Sequence, residues 1–225
     1  MPWVKFIFPS APNRAVTINM GAQMPAWADI KGLSPEAPED EEGSLQTKDY
    51  VHQLVAKEIE AGIPANRILI GGFSQGGAMA GLAALTHPST LGGCFVLSGY
   101  VALKNKLPSM LSAGAKQTPF FQAHGTNDMV VPFLFGQVSS QLIAQFGVKM
   151  EFKQYSCGHE AHPQELQDLR TFLVQRIPQK EATPIPTNVG ELSVKELKEI
   201  LKVRNIDSSD CFEKEDLVRK VKSLL

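Results

Sequence analysis

The stretch ILIGGF (residues 68–73), running straight into SQGGAMAGLAAL (residues 74–85), constrains the fold more than any other part of the chain. A short apolar β-type run ends on glycines, and a small-residue helical pattern follows with no room for a loop. Such a junction turns sharply only if small residues let the two backbones pass closely. Gly72 and Gly76 supply that clearance on either side of Ser74. The letters Gly-x-Ser-x-Gly are few enough to arise from composition, and a glycine-rich turn with an ordinary serine would look the same. The strand before and the helix after favour a serine held at the apex of a strained turn, its hydroxyl presented as a nucleophile. The helix N-terminus would face developing negative charge, with the backbone N–H of Gln75 as one oxyanion donor.

The rest of the chain repeats this alternation. VKFIF (4–8), RILIGGF (67–73), GGCFVLSGY (92–100), TPFFQAHG (118–125) and VKMEFKQY (148–155) read as strands. Helical patterns stand between them: TKDYVHQLVAKEIEAGI (47–63), GGAMAGLAALTH (76–87), FGQVSSQLIAQFG (135–147) and PQELQDLRTFLVQRI (163–177), the last opening on Pro163. Strands alternating with helices imply a mostly parallel sheet, doubly wound by helices. The segment 32–42, with Pro35, Pro38 and a DEE run, reads as a solvated loop, and NMGAQ (19–23) has no preceding strand of its own in this pattern.

In this order an acid and then a histidine should follow the serine, each in a loop after a later strand. HGTNDMVVP offers Asp128 and CGHEAHP offers His159, so all three groups fall at carboxyl ends of strands. An aspartate that only caps a turn is the plainer use of Asp128. His162 rivals His159, and Cys157 with both histidines has the look of a metal cluster, but no other loop completes one; no metal or cofactor is expected. His124 reads as a packed strand-end residue, and His52 and His87 as helix-surface or loop residues.

GGFSQGGAM, HGTNDMVVP and GHEAHPQEL, with FPSAPNRAVTINM and MPAWADI upstream, resemble the acyl-protein thioesterase and carboxylesterase group of α/β-hydrolases over residues 4–177. The resemblance implies an α/β-hydrolase domain over 1–177, with Ser74 as nucleophile, Asp128 as orienter and His159 as base. His159 is preferred because the family's histidine stands six residues before a glutamate opening the last helix, and Glu165 keeps that spacing. One residue fewer than the family pattern separates Tyr155 from His159. S-acylated proteins are the implied substrates, with lysophospholipids and small esters as further candidates and a transient membrane surface as a meeting place. The family's second oxyanion donor comes from a loop like His-Gly-Leu-Gly-Asp, ahead of the strand that VKFIF resembles. Only Met1, Pro2 and Trp3 precede VKFIF. The sequence is therefore expected to be an N-terminally incomplete thioesterase, poorly soluble alone, with a weak or purely binding role as the alternative. One missing donor costs about 10² to 10³ in kcat.

Charge is nearly balanced, 22 basic against 23 acidic residues, so no nucleic-acid partner is expected. Three scattered cysteines and the lack of a signal-like or spanning run point to a reducing, cytoplasmic setting. Beyond residue 177, PQKEATPIPTN reads as a Pro-rich linker over 178–188. Residues 189–225 carry two helical patterns, SVKELKEILKV and KEDLVRKVKSLL, and resemble the SAP-like C-terminal domain of mesencephalic astrocyte-derived neurotrophic factors. Ser208 stands where that family has the first cysteine of a Cys-x-x-Cys pair ending here at Cys211, so no redox chemistry is expected. Acidic and basic residues balance in this segment too, which favours a small protein-interaction module over a nucleic-acid binder, with an inert helical cap as the alternative.

Overall fold

The computed structural model describes the chain apart from residues 2, 35, 180–183 and 205, so part of the expected linker lies outside the described residues. Two compact units form: Ser10–Ile177, and Met1–Pro9 together with Pro178–Leu225.

The larger unit is built on four parallel strands in the order β3 (Leu69–Phe73), β4 (Gly93–Leu97), β5 (Phe120–Gly125) and β6 (Met150–Tyr155). Leu69 pairs with Gly93, Cys94 with Phe120, and Phe120 with Met150. Successive side chains leave opposite faces of a strand. Phe120 accordingly joins a core with Leu82, Leu85, Val96 and Ile143, while its neighbour Phe121 joins Leu97, Leu169 and Phe172. Helices α1 (Glu41–Glu60), α2 (Gln75–Thr86) and α4 (Phe133–Gln145) contribute to the first cluster, and α5 (Pro163–Arg176) to the second. Covering of both faces leaves every residue of β5 buried, Gln122 and His124 included. The same logic accounts for α2, whose residues from Gly77 to Leu85 are all buried.

The acidic run expected in a solvated loop instead starts α1. Asp40 caps it by accepting from the amide of Gly43 at 3.2 Å, and Glu41 and Glu42 sit at the positive end of the helix. A second correction concerns NMGAQ, which does follow a strand: β1 (Asn13–Val16) pairs antiparallel with β2 (Ala22–Pro25). The reversal needs left-handed backbone at Met20 (φ 56°) and Gly21 (φ 75°). A four-residue helix, α3 (Leu107–Met110), was also not expected.

In the smaller unit, residues 4–8 form no strand, contrary to expectation. Their apolar alternation is present, but β propensity yields a strand only where a ladder partner takes the backbone groups. Phe6, Ile7 and Phe8 are exposed, with the Phe6 and Phe8 rings stacked at 6.1 Å. The C-terminal part holds α6 (Val194–Val203) and α7 (Lys214–Lys222) around Val189, Leu197, Leu201, Leu217 and Val221. Ser193 and Glu196 form a reciprocal capping box at the start of α6.

Candidate active site

Between β3 and α2, Ser74 adopts φ 54° and ψ −124°, a conformation costly for any residue with a side chain. The surroundings hold it there. Its amide donates to the carbonyl of Leu97 at 2.8 Å, and its carbonyl accepts from the amide of Ala78 at 3.0 Å. A Cβ on Gly72 would stand 2.5 Å from the carbonyl carbon of Gly76, so the strand and helix pass at a distance only glycine permits.

Two loops at the same end of the sheet complete the arrangement. His159, after β6, places Nε2 3.0 Å from Ser74 Oγ and Nδ1 2.7 Å from Asp128 Oδ2. The hydrogen bonds fix the roles of the two nitrogens: Nδ1–H donates to the carboxylate, which leaves Nε2 to accept from the serine hydroxyl. Asp128, after β5, accepts through Oδ1 from the amides of Val130 (2.9 Å) and Val131 (2.8 Å). Burial alone would raise the pKa of this carboxyl, but the hydrogen bonds from His159, Val131 and Val130 outweigh it and hold the group below its usual range. The aspartate is thus ionised and saturated with donors. Phe73 lies against the imidazole of His159, ring centroids 4.7 Å apart.

Gln75, at the first helical position after Ser74, has a backbone N–H with no carbonyl to bond within the helix. Its side chain has a role the sequence did not disclose. Oε1 accepts from the amide of Trp27 at 2.8 Å and Nε2 donates to the carbonyl of Ala28 at 2.7 Å, which ties the segment after β2 to the residue that follows Ser74.

The remaining histidines divide clearly. His162 caps α5, accepting from the amide of Gln164 while its own amide donates to Glu165 Oε2 at 2.9 Å. His124 is fully buried beneath Asp128, its Nε2–H donating to the carbonyl of Val131 at 2.8 Å; burial pushes its pKa down, keeping it neutral. His52 and His87 pack edge to face, 5.0 Å apart, and His87 is buried rather than at the surface. Among the described residues, no three His, Cys, Asp or Glu side chains gather as a metal site. Cys157 is buried next to the histidine loop, with its thiol pKa pushed up by burial.

A cavity of about 200 Å³ borders Gln75 and is walled largely by apolar side chains, among them Ile30, Leu33, Met79, Tyr100, Leu134 and Val138. A strained serine, an oriented histidine, an ionised aspartate and an apolar cavity are what attack on an acyl carbonyl requires.

Residues 1–177 match the family described as phospholipase/carboxylesterase. The chain belongs to that family. Acyl-protein thioesterase 1 of Neurospora crassa is 42% identical over 78% of the chain and 75% of its own length. A probable carboxylesterase SOBER1-like protein of Arabidopsis thaliana is 40% identical over 77% of the chain and 67% of its own length. Among solved structures, Arabidopsis thaliana SOBER1 superposes with a TM-score of 0.73 at 37% identity, covering 76% of this chain and 83% of that one. Acyl-protein thioesterase 2 of Zea mays gives 0.68 at 29% identity, covering 75% and 80%. The fold of Ser10–Ile177 is thus that of an α/β-hydrolase, and the relatives are hydrolases by name. Residues 186–225 are similar to the E3 ubiquitin-protein ligase rififylin-like domain.

Proposed function

We propose that the protein hydrolyses acyl thioesters and esters through a Ser74 acyl-enzyme, with S-acylated proteins, including palmitoylated ones, as its substrates. The observation that carries this is the unbroken line from Ser74 Oγ through His159 to Asp128, at 3.0 and 2.7 Å. The names of the thioesterase relatives supply the substrate class.

In the first step Ser74 Oγ bonds to the acyl carbon while its proton passes to His159 Nε2 and the carbonyl π pair becomes an oxyanion. Asp128 stabilises the resulting imidazolium and keeps the ring oriented. The oxyanion collapses, the C–S or C–O bond breaks, and the leaving group takes its proton from His159. Water, deprotonated by the same nitrogen, then attacks the acyl-enzyme and releases the carboxylic acid with Ser74 restored. A thiol leaving group has a reference pKa near 8.5, so thioesters need less protonation at this point than alkyl esters do. The apolar cavity beside Gln75 would take the acyl chain.

The test is turnover of an S-acyl peptide, followed by thiol release. Wild-type protein should turn over, and Ser74→Ala should be silent with its melting temperature unchanged. Equal rates in both would remove Ser74 from the role. For α6 and α7 we propose protein interaction, on the strength of their balanced charge and their similarity to a ubiquitin-ligase domain.

A further inference from the structure

The Nε2 proton of His124 faces two oxygens, and only one of them belongs to the backbone turn that it supports. We infer that His124 is a positioning residue for Asp128: its Nε2–H, bonded to the carbonyl of Val131, also faces Oδ2 of Asp128 and steadies the carboxylate that orients His159. The inference rests on the hydrolase reading proposed above.

The first observation is convergence. His124 Nε2 lies 2.8 Å from the carbonyl oxygen of Val131 and 3.4 Å from Asp128 Oδ2, the same oxygen that receives Nδ1–H of His159 at 2.7 Å. The side chains of His124 and Asp128 are both closed to solvent, so water does little to screen one from the other. Val131 in turn donates its amide to Asp128 Oδ1 at 2.8 Å, and carboxylate, turn and imidazole close into a ring. The second observation is the tautomer. A carbonyl only accepts, which puts the proton of His124 on Nε2. Nδ1 is buried with no hydrogen-bond partner, so a proton there would be an unsatisfied donor while the bare Nε2 faced two oxygens.

The third observation is rigidity, since a ring steadies a carboxylate only if it cannot retreat. A Cβ on Gly136 of α4 would stand 2.2 Å from His124 Nδ1 and 2.8 Å from its Cγ, so the helix backbone abuts the Nδ1 edge of the ring. Gln122 holds that backbone in place, its Nε2 donating to the carbonyl of Gly136 at 3.1 Å, and Phe133 meets the imidazole edge to face at 6.0 Å. The titratable groups bearing on His124 are Asp128 and His159, and burial keeps the ring neutral between them. It therefore presents a dipole to Asp128 and leaves the full negative charge for the imidazolium of His159. Support of the turn needs only the Val131 carbonyl; the approach to Oδ2 is what that role leaves unexplained.

The test reads His159 through His124. Wild type, His124→Phe, His124→Gln and Ser74→Ala are compared on an S-acyl peptide across pH, the acid limb of kcat/KM reporting protonation of His159. Phe fills the place of the ring without an N–H, so the carboxylate loses a donor, the imidazolium of His159 gains, and the acid limb moves up by about half a pH unit with KM near wild type. Gln restores a side-chain N–H and brings the limb back. A limb left in place in folded His124→Phe, or displaced equally in His124→Gln, overturns the assignment, since support of the turn alone changes only the melting temperature. In wild-type protein carrying isotope-labelled histidine, NMR should find His124 as the Nε2–H tautomer, with that proton's resonance following the titration of His159. An Nδ1–H tautomer, or a resonance blind to His159, overturns the assignment whether or not the variants fold. Absence of Ser74-dependent turnover in the wild type fails the functional reading alone, because the NMR measurement still decides where the proton of His124 lies and what it senses.

Discussion

The cavity beside Gln75 sets a limit on how much of an acyl chain the protein can hold. A dry cavity of about 150 Å³ accommodates benzene, roughly 25 Å³ for each carbon. A cavity of about 200 Å³ then seats about eight carbons. Each methylene moved from water to such a wall gains about 0.8 kcal/mol, or roughly fourfold in kcat/KM. Lengthening the acyl group from two to eight carbons should therefore raise kcat/KM by at most about four thousandfold, and further carbons should add little. A palmitoyl chain would seat about half its length, the remainder leaving through the mouth near the exposed Leu33, Leu134 and Val138. The assay is kcat/KM for a series of S-acyl peptides from acetyl to palmitoyl, in detergent-free buffer at low conversion. Met79 is buried and lines the cavity, so Met79→Ala removes three heavy atoms from the wall and should move the break outward by about three carbons, at a stability cost of about 2 to 5 kcal/mol. A steady rise to sixteen carbons, no dependence on chain length, or an unmoved break in Met79→Ala would refute the reasoning.

Asp128→Asn should lower kcat by about 10⁴, the scale seen when a triad aspartate loses the power to set the imidazole tautomer, while KM for an S-acyl peptide stays near wild type. His162→Ala should keep the wild-type rate and lose about 1 kcal/mol of stability in urea titration, since it removes a helix cap and no reacting group. Gly136→Ala places a methyl 2.2 Å from His124 Nδ1, beneath Asp128, and should cost about 1 to 3 kcal/mol in the same titration. Glu165 is buried, and desolvation raises its pKa above the usual carboxylate value despite the amide of His162. A raised acid binds its proton more tightly in the folded state, so stability falls as pH rises from about 4.3 through the folded value. Glu165→Gln should therefore match wild type in melting temperature near pH 4 and exceed it at pH 8; a constant difference would refute the sign.

Much of the fold was legible because burial on both faces writes itself into sequence as continuous apolar runs. The strands of residues 67–73, 92–100, 118–125 and 148–155 all contain observed strands, and the loops after three of them bring Ser74, Asp128 and His159 together. VKFIF carried the same local signal and gave no strand, because pairing is a property of two segments and only one was visible in the pattern. The hairpin of β1 and β2 was hidden for the opposite reason: NRAV and AQMP are short and largely exposed, and its turn depends on backbone at Met20 and Gly21 rather than on hydrophobic periodicity. The clamp of Gln75 on Trp27 and Ala28 joins residues 48 and 47 positions apart, a relation no local pattern encodes. His124 and His162 owe their roles, turn support and helix capping, to hydrogen bonds that leave no mark in the local sequence pattern.

The claim that Ser74 is an activated nucleophile in an assembled site is tested most directly by a fluorophosphonate probe, with the adduct weighed by intact mass and located by peptide mapping. The account predicts one adduct per chain, on Ser74, formed quickly in wild type, lost in Ser74→Ala and strongly slowed in His159→Ala and Asp128→Asn. An unlabelled wild-type protein, or labelling that ignores His159, would contradict it.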